Sequence, residues 1–599
     1  MQEAEKLLDI YQKRGAKKLP LDRVYRHLFD PKLYLRAYGK ICRNFGATTK
    51  GSTTDTVDGM SEQRVQDIVE QIKHERYRWT PVRRTMIPKA NGKLRPLGIP
   101  TWSDKLVQEV VRNLLEAYYE PRFSHHSHGF RPDRGCHSAL HEVRKAWTGT
   151  VWFIEGDIKG CFDNIDHEVL LSILARDIHD GRLIGLIRGM LEAGYVEDWR
   201  YHDTLSGTPQ GGIISPLLAN IYLNELDSFV EETLMPAYTK GKRRTPNPAY
   251  NANRFQLQQA RKRNDLDEIV RLKRQRRTLM SVAPVDPSYR RLKYVRYADD
   301  FLLGFVGPKS EAEEIRRRLG EFLEQRLKLT LSPEKTLITH ATDDKAKFLG
   351  YEVTVTRDGG LISHNGKRAT NGHITLLMPR KVVQKYRERY CKKGVVVHRA
   401  ELLAESDYTI IQRYQSVLRG LYNYYCMAIN VGTKKRVSYI KWILQTSLTK
   451  TLASKFKCSV SDIYKKYGVT VEGLEALQIV IERQEKGPLI ATFGGFSIKR
   501  VPDGMGVRDF DPTTAWHKPA NRRSEVVTRL LYGKCELCKV EGEPVQAHHI
   551  RALADIDRPG RRPKEDWERH MAAIRRKTLV VCDPCHRKIH GGEYDGSKL

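Results

Sequence analysis

Two apolar β-type runs, Tyr294-Val295 and Phe301-Leu302-Leu303, meet at an adjacent pair of carboxylates, Asp299 and Asp300. Like charges side by side at the tip of a hairpin repel, and a divalent cation relieves that cost. Alone, Tyr297-Ala298-Asp299-Asp300 reads equally as a surface turn. A second block, WFIEGDIKGCFDNID, changes the balance: Asp157 ends another apolar strand and Phe162 follows five residues later. Three carboxylates on adjacent strands suit two-metal phosphoryl transfer. One cation activates a hydroxyl, and the other holds a triphosphate and its leaving pyrophosphate.

The rest of the chain agrees with a polyanionic partner. Its 599 residues predict three to five domains, and 40% hydrophobic content is enough for sizeable cores. Lys and Arg total 104 against 72 Asp and Glu, a net +32, with a pI near 9.7. Such self-repulsion is eased by nucleic acid. No run of about 18 apolar residues predicts a membrane span. MQEAEKLLDIYQKRGAKK has no apolar signal-peptide core. Six of the ten cysteines are dispersed and four form two CxxC pairs, which predicts a reducing compartment and one metal site.

Between about 150 and 355, short β-rich runs alternate with helical patterns, predicting an α/β or α+β core. Asn91-Gly92 in KANGKLRPLGIP predicts a hairpin. ATTKGSTTDTVDG, ahead of it, predicts a loop. Residues 236–291 interrupt the core with 15 Lys/Arg against 4 Asp/Glu. That segment reads either as a solvated basic helix or as a nucleic-acid contact. Residues 375–480 are helix-rich with Tyr and Arg interleaved, which suits base stacking and phosphate pairing, or a bundle core. Residues 484–525 are rich in Gly, Pro, Arg and Lys.

The ordered blocks KLRPLGIP, HGFRPDRGCHSAL, EGDIKGCFDNID, SGTPQGGIISPLLANIYL, YADD, LSPEKTLITH and FLGY resemble the reverse transcriptases encoded by mobile group II introns. The resemblance implies a multidomain α+β chain with right-hand fingers and palm, a helical thumb (the maturase domain, or domain X), a basic DNA-binding linker and a small zinc-stabilised ββα-metal module. The implied boundaries are an N-terminal extension with an RNA-binding motif (1–75), fingers and palm (76–370, with 236–291 inserted), thumb (371–483), linker (484–525) and HNH endonuclease (526–599). Asp157 and Asp299 would bind two Mg²⁺ ions, with Asp300 in a weaker metal role. Phe162 would be the steric gate against a ribose 2′-hydroxyl. Gln210 and Gly211 would line the nucleotide pocket, Lys93 and Arg95 would grip the triphosphate of a dNTP, and Lys335 would protonate pyrophosphate. Phe348, Leu349, Gly350 and Tyr351 would hold the primer end. Arg419, Tyr422, Asn423 and Tyr424 mark the maturase core that binds intron RNA, and Arg271, Lys273 and Arg274 are the basic-insertion candidates for RNA contact.

At the C-terminus, Cys535, Cys538, Cys582 and Cys585 predict a Cys₄ structural Zn²⁺ site. His586 and His590 are four apart on one helix face and, with His548, form a three-His site for Mg²⁺ or another divalent cation. This resembles the HNH motif, and the resemblance makes His549 the general base. Thr578 stands where that family often has Asn, so the group that orients His549 is open.

The implied protein is an RNA-directed DNA polymerase, a maturase promoting splicing of its intron RNA, and a nuclease nicking target DNA to prime reverse transcription. A stand-alone reverse transcriptase with a host role in defence or repair is the alternative. Neither reading involves a membrane, and both admit a homodimer. A bacterial cytoplasm is expected, although an organelle-encoded protein would read the same.

Overall fold

The computed structural model describes residues 2–591 apart from 45, 89–91, 93, 198–199, 203–206, 208–210, 280, 284–285, 357–371, 433–434, 483–486, 505–524, 551–567, 569–570 and 572–575. No helix among the described residues is long and apolar enough to cross a membrane.

The palm is a five-stranded sheet in the order Ile338–His340, Trp152–Asp157, Asp300–Val306, Arg291–Tyr297, Ser127–His128. Its central strands are largely buried: beyond Asp300 the strand Asp300–Val306 is apolar throughout, and in Arg291–Tyr297 the buried positions are Leu292, Tyr294, Val295 and the charged Arg296. Gly156 permits the close packing: a Cβ there would lie 2.1 Å from the Phe301 ring. The helices Trp102–Tyr119 and Ser215–Phe229 and the N-terminal segment share one core with this sheet. The strands that flank the predicted Asn91-Gly92 hairpin pair with each other, while Asn91 itself lies outside the described residues. Val82–Pro88 pairs antiparallel with Leu94–Ile99, and Val82–Pro88 also pairs with Tyr195–Glu197.

A second core joins the sheet Ala346–Phe348, Tyr351–Thr356, His373–Leu377 to the thumb helices Arg380–Tyr390, Asp407–Tyr425 and Arg436–Phe456. The segment expected to form a helical thumb is not purely helical. Gly468–Val471, Leu474–Ile481 and Leu489–Gly494 form an antiparallel sheet, which carries this unit past residue 483. The alternation in LEALQIVI is short and follows a helix-rich stretch, so helical period masks it.

The basic insertion is a helical hairpin, Pro248–Lys262 against Leu266–Thr278, with its own small core of Leu257, Ala260 and Leu272. The C-terminal module has the ββα order Val545–His549, Thr578–Cys582, Asp583–Gly591, preceded by the helix Glu525–Tyr532. It does not stand apart. Met60–Ser61 adds a third strand to its sheet, pairing with Ala547 and Gln546. Val526, Val527, Leu530, Val545, Ala547 and Val580 are buried in the same core as the N-terminal extension.

Candidate functional site

The sheet register brings the palm carboxylates together. Asp300 is the direct cross-strand partner of Asp157, and Asp299 sits in the two-residue turn closing the Tyr297–Asp300 pair. That turn needs Ala298 in the left-handed region, at φ +53°. A residue the sequence did not single out holds it there. Arg296 is wholly buried and donates to Ala298 O at 2.8 Å, to Asn220 Oδ1 at 3.1 Å and to Ser127 Oγ at 2.8 Å. Its charge is met by both oxygens of Asp227, at 2.7 and 2.6 Å, and Tyr294 Oη donates to the same carboxylate. An uncompensated buried guanidinium is costly, so Asp227 is what permits Arg296 to brace the turn.

Burial, and then the charges of Asp299 and Asp157, push the Asp300 carboxyl up to about 7. Burial also raises Asp299; Asp157 adds to the rise, while Lys335 and Arg95 oppose it. Protons are thus favoured on Asp299 and Asp300, as expected of a carboxylate site that fits divalent cations. Lys335 Nζ donates to both oxygens of Asp157 at 2.9 Å. The resemblance places this ammonium on pyrophosphate. Here it lies on the carboxylate cluster, where Coulomb attraction is strongest, and the turn bond Lys335 N to Ser332 O positions it.

Phe162 lies in the short 3₁₀ turn Cys161–Asp163, half-buried, with its ring edge-on to Phe130 at 6.4 Å. Gly211 takes φ +111°, and a Cβ there would meet Gly98 O at 2.4 Å, so its backbone lies against the fingers strand that carries Arg95. Lys93 and Gln210 lie outside the described residues. Phe348 and Tyr351 face each other across a tight turn in which Leu349 and Gly350 both have positive φ.

The maturase block is built into that turn. Tyr424 Oη donates to Leu349 O at 2.8 Å and Tyr425 Oη to Gly350 O at 3.3 Å. Tyr351 Oη donates in return to Tyr424 O. Tyr422 donates to Lys499 O at 3.0 Å, and Arg419 lies over the Phe496 ring. Tyr424 therefore ties its helix to the Phe348–Tyr351 turn and Tyr422 ties it to the segment after Leu489–Gly494, while Arg419 remains exposed and Asn423 half-buried. In the basic hairpin, Arg271, Lys273 and Arg274 are exposed, with Arg271 bonded to Glu268.

In the C-terminal module, Cys535, Cys538, Cys582 and Cys585 converge, with all four sulfurs within 4.8 Å of one another. Two CxxC turns reach one point because one precedes and the other closes the paired strands. His548, His586 and His590 also converge, and a fourth group joins them: Asp58, from the ATTKGSTTDTVDG loop. Its oxygens lie 3.2 Å from His548 Nδ1, 3.4 Å from His586 Nε2 and 2.7 Å from His590 Nε2. Burial alone would raise the Asp58 carboxyl, but the His548 and His586 contacts outweigh it and hold it well below the usual carboxylate range. His549 points away from this cluster, as its alternation along the strand requires. Its Nε2 is 2.8 Å from Tyr38 Oη, and burial pushes its imidazole down to about 4. Thr578, its cross-strand partner, has its hydroxyl engaged by Arg529, so Tyr38 is the side chain that orients His549 here. Neither Asp58 nor Tyr38 was visible as a module residue, because each lies about five hundred positions from the histidines it meets.

Three known families match in this order. The chain matches reverse transcriptase (RNA-dependent DNA polymerase) over residues 87–353. It matches type II intron maturase over 373–494 and AI2M/AI1M-like HNH endonuclease over 535–586. It is 39% identical over 590 residues to the group II intron-encoded protein LtrA of Lactococcus lactis subsp. cremoris, covering 95% of each chain. It is 33% identical over 580 residues to a 91 kDa protein in a cob intron of Schizosaccharomyces pombe, covering 94% of this chain and 69% of that one. Nuclear intron maturase 2 of Arabidopsis thaliana is 26% identical over 424 residues, covering 61% of this chain and 54% of that one. With polymerase, maturase and nuclease segments in this order, and a relative matched almost end to end, the chain belongs to the multifunctional group II intron-encoded proteins, which combine reverse transcriptase, maturase and HNH endonuclease.

Proposed function

We propose that the C-terminal module nicks one DNA strand and that the palm extends the freed 3′-hydroxyl by copying intron RNA. The cross-strand pairing of Asp157 with Asp300, with Asp299 at the adjoining turn, is the observation that carries the polymerase half. Mg²⁺ bound there would lower the pKa of the primer hydroxyl and offset charge on the departing pyrophosphate. The chain's own residues then set the geometry. Arg296 fixes the turn, Arg95 offers a cation to the triphosphate, Gly211 leaves room beside it, and Phe162 closes on the sugar. The Phe348–Tyr351 turn, tied down by Tyr424 and Tyr425, supports the primer end.

For the nuclease half, His549 takes the proton of a water whose oxygen attacks phosphorus. The P–O3′ bond breaks, the 5′-phosphate keeps the attacking oxygen, and O3′ takes a proton from solvent water to become a 3′-hydroxyl. His548, His586 and His590 would hold a divalent cation, Mg²⁺ or another, which when bound would offset negative charge. The four cysteines hold Zn²⁺ and give the module its folding energy. Intron RNA, target DNA and dNTPs are the partners. The net charge of +32 is the electrostatic basis for the first two.

Purification in gentle salt followed by sequencing of bound RNA tests the intron reading. One long structured RNA, enriched as an excised lariat, is expected, whereas a mixed pool favours a stand-alone reverse transcriptase. A second test concerns the basic hairpin. Each phosphate contact contributes about 0.7–0.9 to the slope of log affinity against log salt. Converting Arg271, Lys273 and Arg274 to Gln should weaken RNA binding and flatten that slope by about 2. An unchanged slope returns the hairpin to a solvated surface.

A further inference from the structure

The histidine cluster of the nuclease is completed from the other end of the chain. Asp58 reaches it because the backbone around it is stitched to the nuclease sheet. Gly59 N donates to Ala547 O at 3.0 Å, His549 N donates to Asp58 Oδ1 at 2.7 Å, and Met60–Ser61 continues as the third strand. Behind that seam the two parts share one apolar core, with Val527 and Leu530 each 1% exposed. Asp55, three residues earlier, anchors the same loop by accepting from Ser103 N at 2.8 Å and pairing with Arg64. The loop is therefore held at both ends, and Asp58 is presented to the imidazoles by fixed backbone.

The spacing is that of a coordination shell. A tetrahedral cation with metal–ligand distances of about 2.0–2.1 Å puts its ligand atoms about 3.3 Å apart. Here His586 Nε2 and His590 Nε2 are 3.3 Å apart, and the Asp58 oxygens lie 2.7–3.4 Å from the three imidazoles. Three imidazoles and a carboxylate are a donor set that first-row divalent cations accept. Catalytic cation sites keep a position open for water or substrate, whereas four protein ligands close it. Tyr38, from the same N-terminal extension, lies on His549 at the same time.

We infer that Asp58 is the fourth ligand of the nuclease cation, so that one metal centre joins the N-terminal extension to the nuclease and occupies the position a DNA phosphate takes during cleavage. The inference rests on reading His548, His586 and His590 as cation ligands. It makes the docked nuclease a latched state. Cleavage requires Asp58 to leave the cation, and withdrawal of the extension releases the general base from Tyr38 in the same movement. Engagement of the extension by RNA or DNA would then open the nuclease.

Co²⁺ titration of the full-length, zinc-loaded chain tests this. Four-coordinate Co²⁺ with nitrogen and oxygen ligands absorbs far more strongly than six-coordinate Co²⁺, which separates this centre from the palm. Asp58→Ala should raise the Co²⁺ dissociation constant at least about tenfold, since even outer-sphere partners of a metal ligand account for about 10–100-fold. His586→Ala should abolish the signal. An unchanged affinity in Asp58→Ala, with loss in His586→Ala, overturns the inference and leaves the three-His reading intact. No loss in either variant overturns both. In the parent chain Co²⁺ should also slow hydrogen exchange at residues 59–61 and 545–549. Equal slowing in Asp58→Asn counts against the centre. At saturating cation Asp58→Ala should nick DNA faster than the parent, and slower nicking would show that Asp58 does not close the phosphate position.

Discussion

Asp299→Ala is expected to abolish RNA-directed DNA synthesis while DNA nicking and RNA binding persist. Its carboxylate sits at the turn between strands whose other carboxylates, Asp157 and Asp300, pair directly across the sheet. Metal-based charge stabilisation is worth several kcal/mol in a transition state. At about 1.4 kcal/mol per tenfold, that predicts a loss of about a thousandfold or more in rate. The turn is positioned by Ala298 and Arg296 backbone and side-chain bonds rather than by Asp299, so the fold should survive. Primer extension on an RNA template, beside a nicking assay on the same preparation, checks both parts. Synthesis within tenfold of the parent would remove Asp299 from the metal site.

Cys585→Ser is expected to unfold the C-terminal module and spare the polymerase. A structural Zn²⁺ contributes about 10–16 kcal/mol to folding in small zinc domains. A domain of this size has a net stability of only about 4–11 kcal/mol. Among the described residues, the local core around the cysteines is Leu537, Met571, Leu579, Val581 and Ile589, with Val540 and Ile550 packed against it. Removing a ligand therefore exceeds what the remaining contacts supply. Zinc content should fall, the segment beyond residue 525 should become protease-sensitive, and nicking should disappear. DNA synthesis should hold, because among the described residues the palm sheet receives no strand from this module. Full zinc content and full nicking in Cys585→Ser would remove the structural-zinc reading.

The parts of these sites that were legible are those in which one short segment carries the signal. Apolar β-type runs place Asp157, Asp299 and Asp300 at strand ends, and antiparallel pairing of those strands sets Asp157 opposite Asp300. The two CxxC pairs, and His586 with His590 one helical turn apart, declare their ligand geometry by local spacing. The Asn91-Gly92 hairpin followed in the same way. The thumb was less legible. Tyr422 and Tyr424 read as RNA contacts because aromatic and basic residues alternate there, yet the structure spends their hydroxyls on Lys499 O and Leu349 O. An amphipathic side chain carries the same letters whether its polar end meets a base or a backbone carbonyl. The Leu489–Gly494 strand was absorbed into the linker because a strand identifies itself through its partner, here Leu474–Ile481.

By itself, then, the amino-acid sequence determined the order of the functional segments, the three palm carboxylates, the four cysteines and the three histidines, because each is encoded in residue types at fixed short spacing. Tertiary structure alone decided that Arg296 braces the Ala298–Asp299 turn, that Tyr38 orients His549, and that Asp58 enters the histidine cluster from nearly five hundred residues away. Those contacts depend on a shared apolar core and a single added strand, and burial and strand pairing across such distances leave no period in the chain for a reader to find.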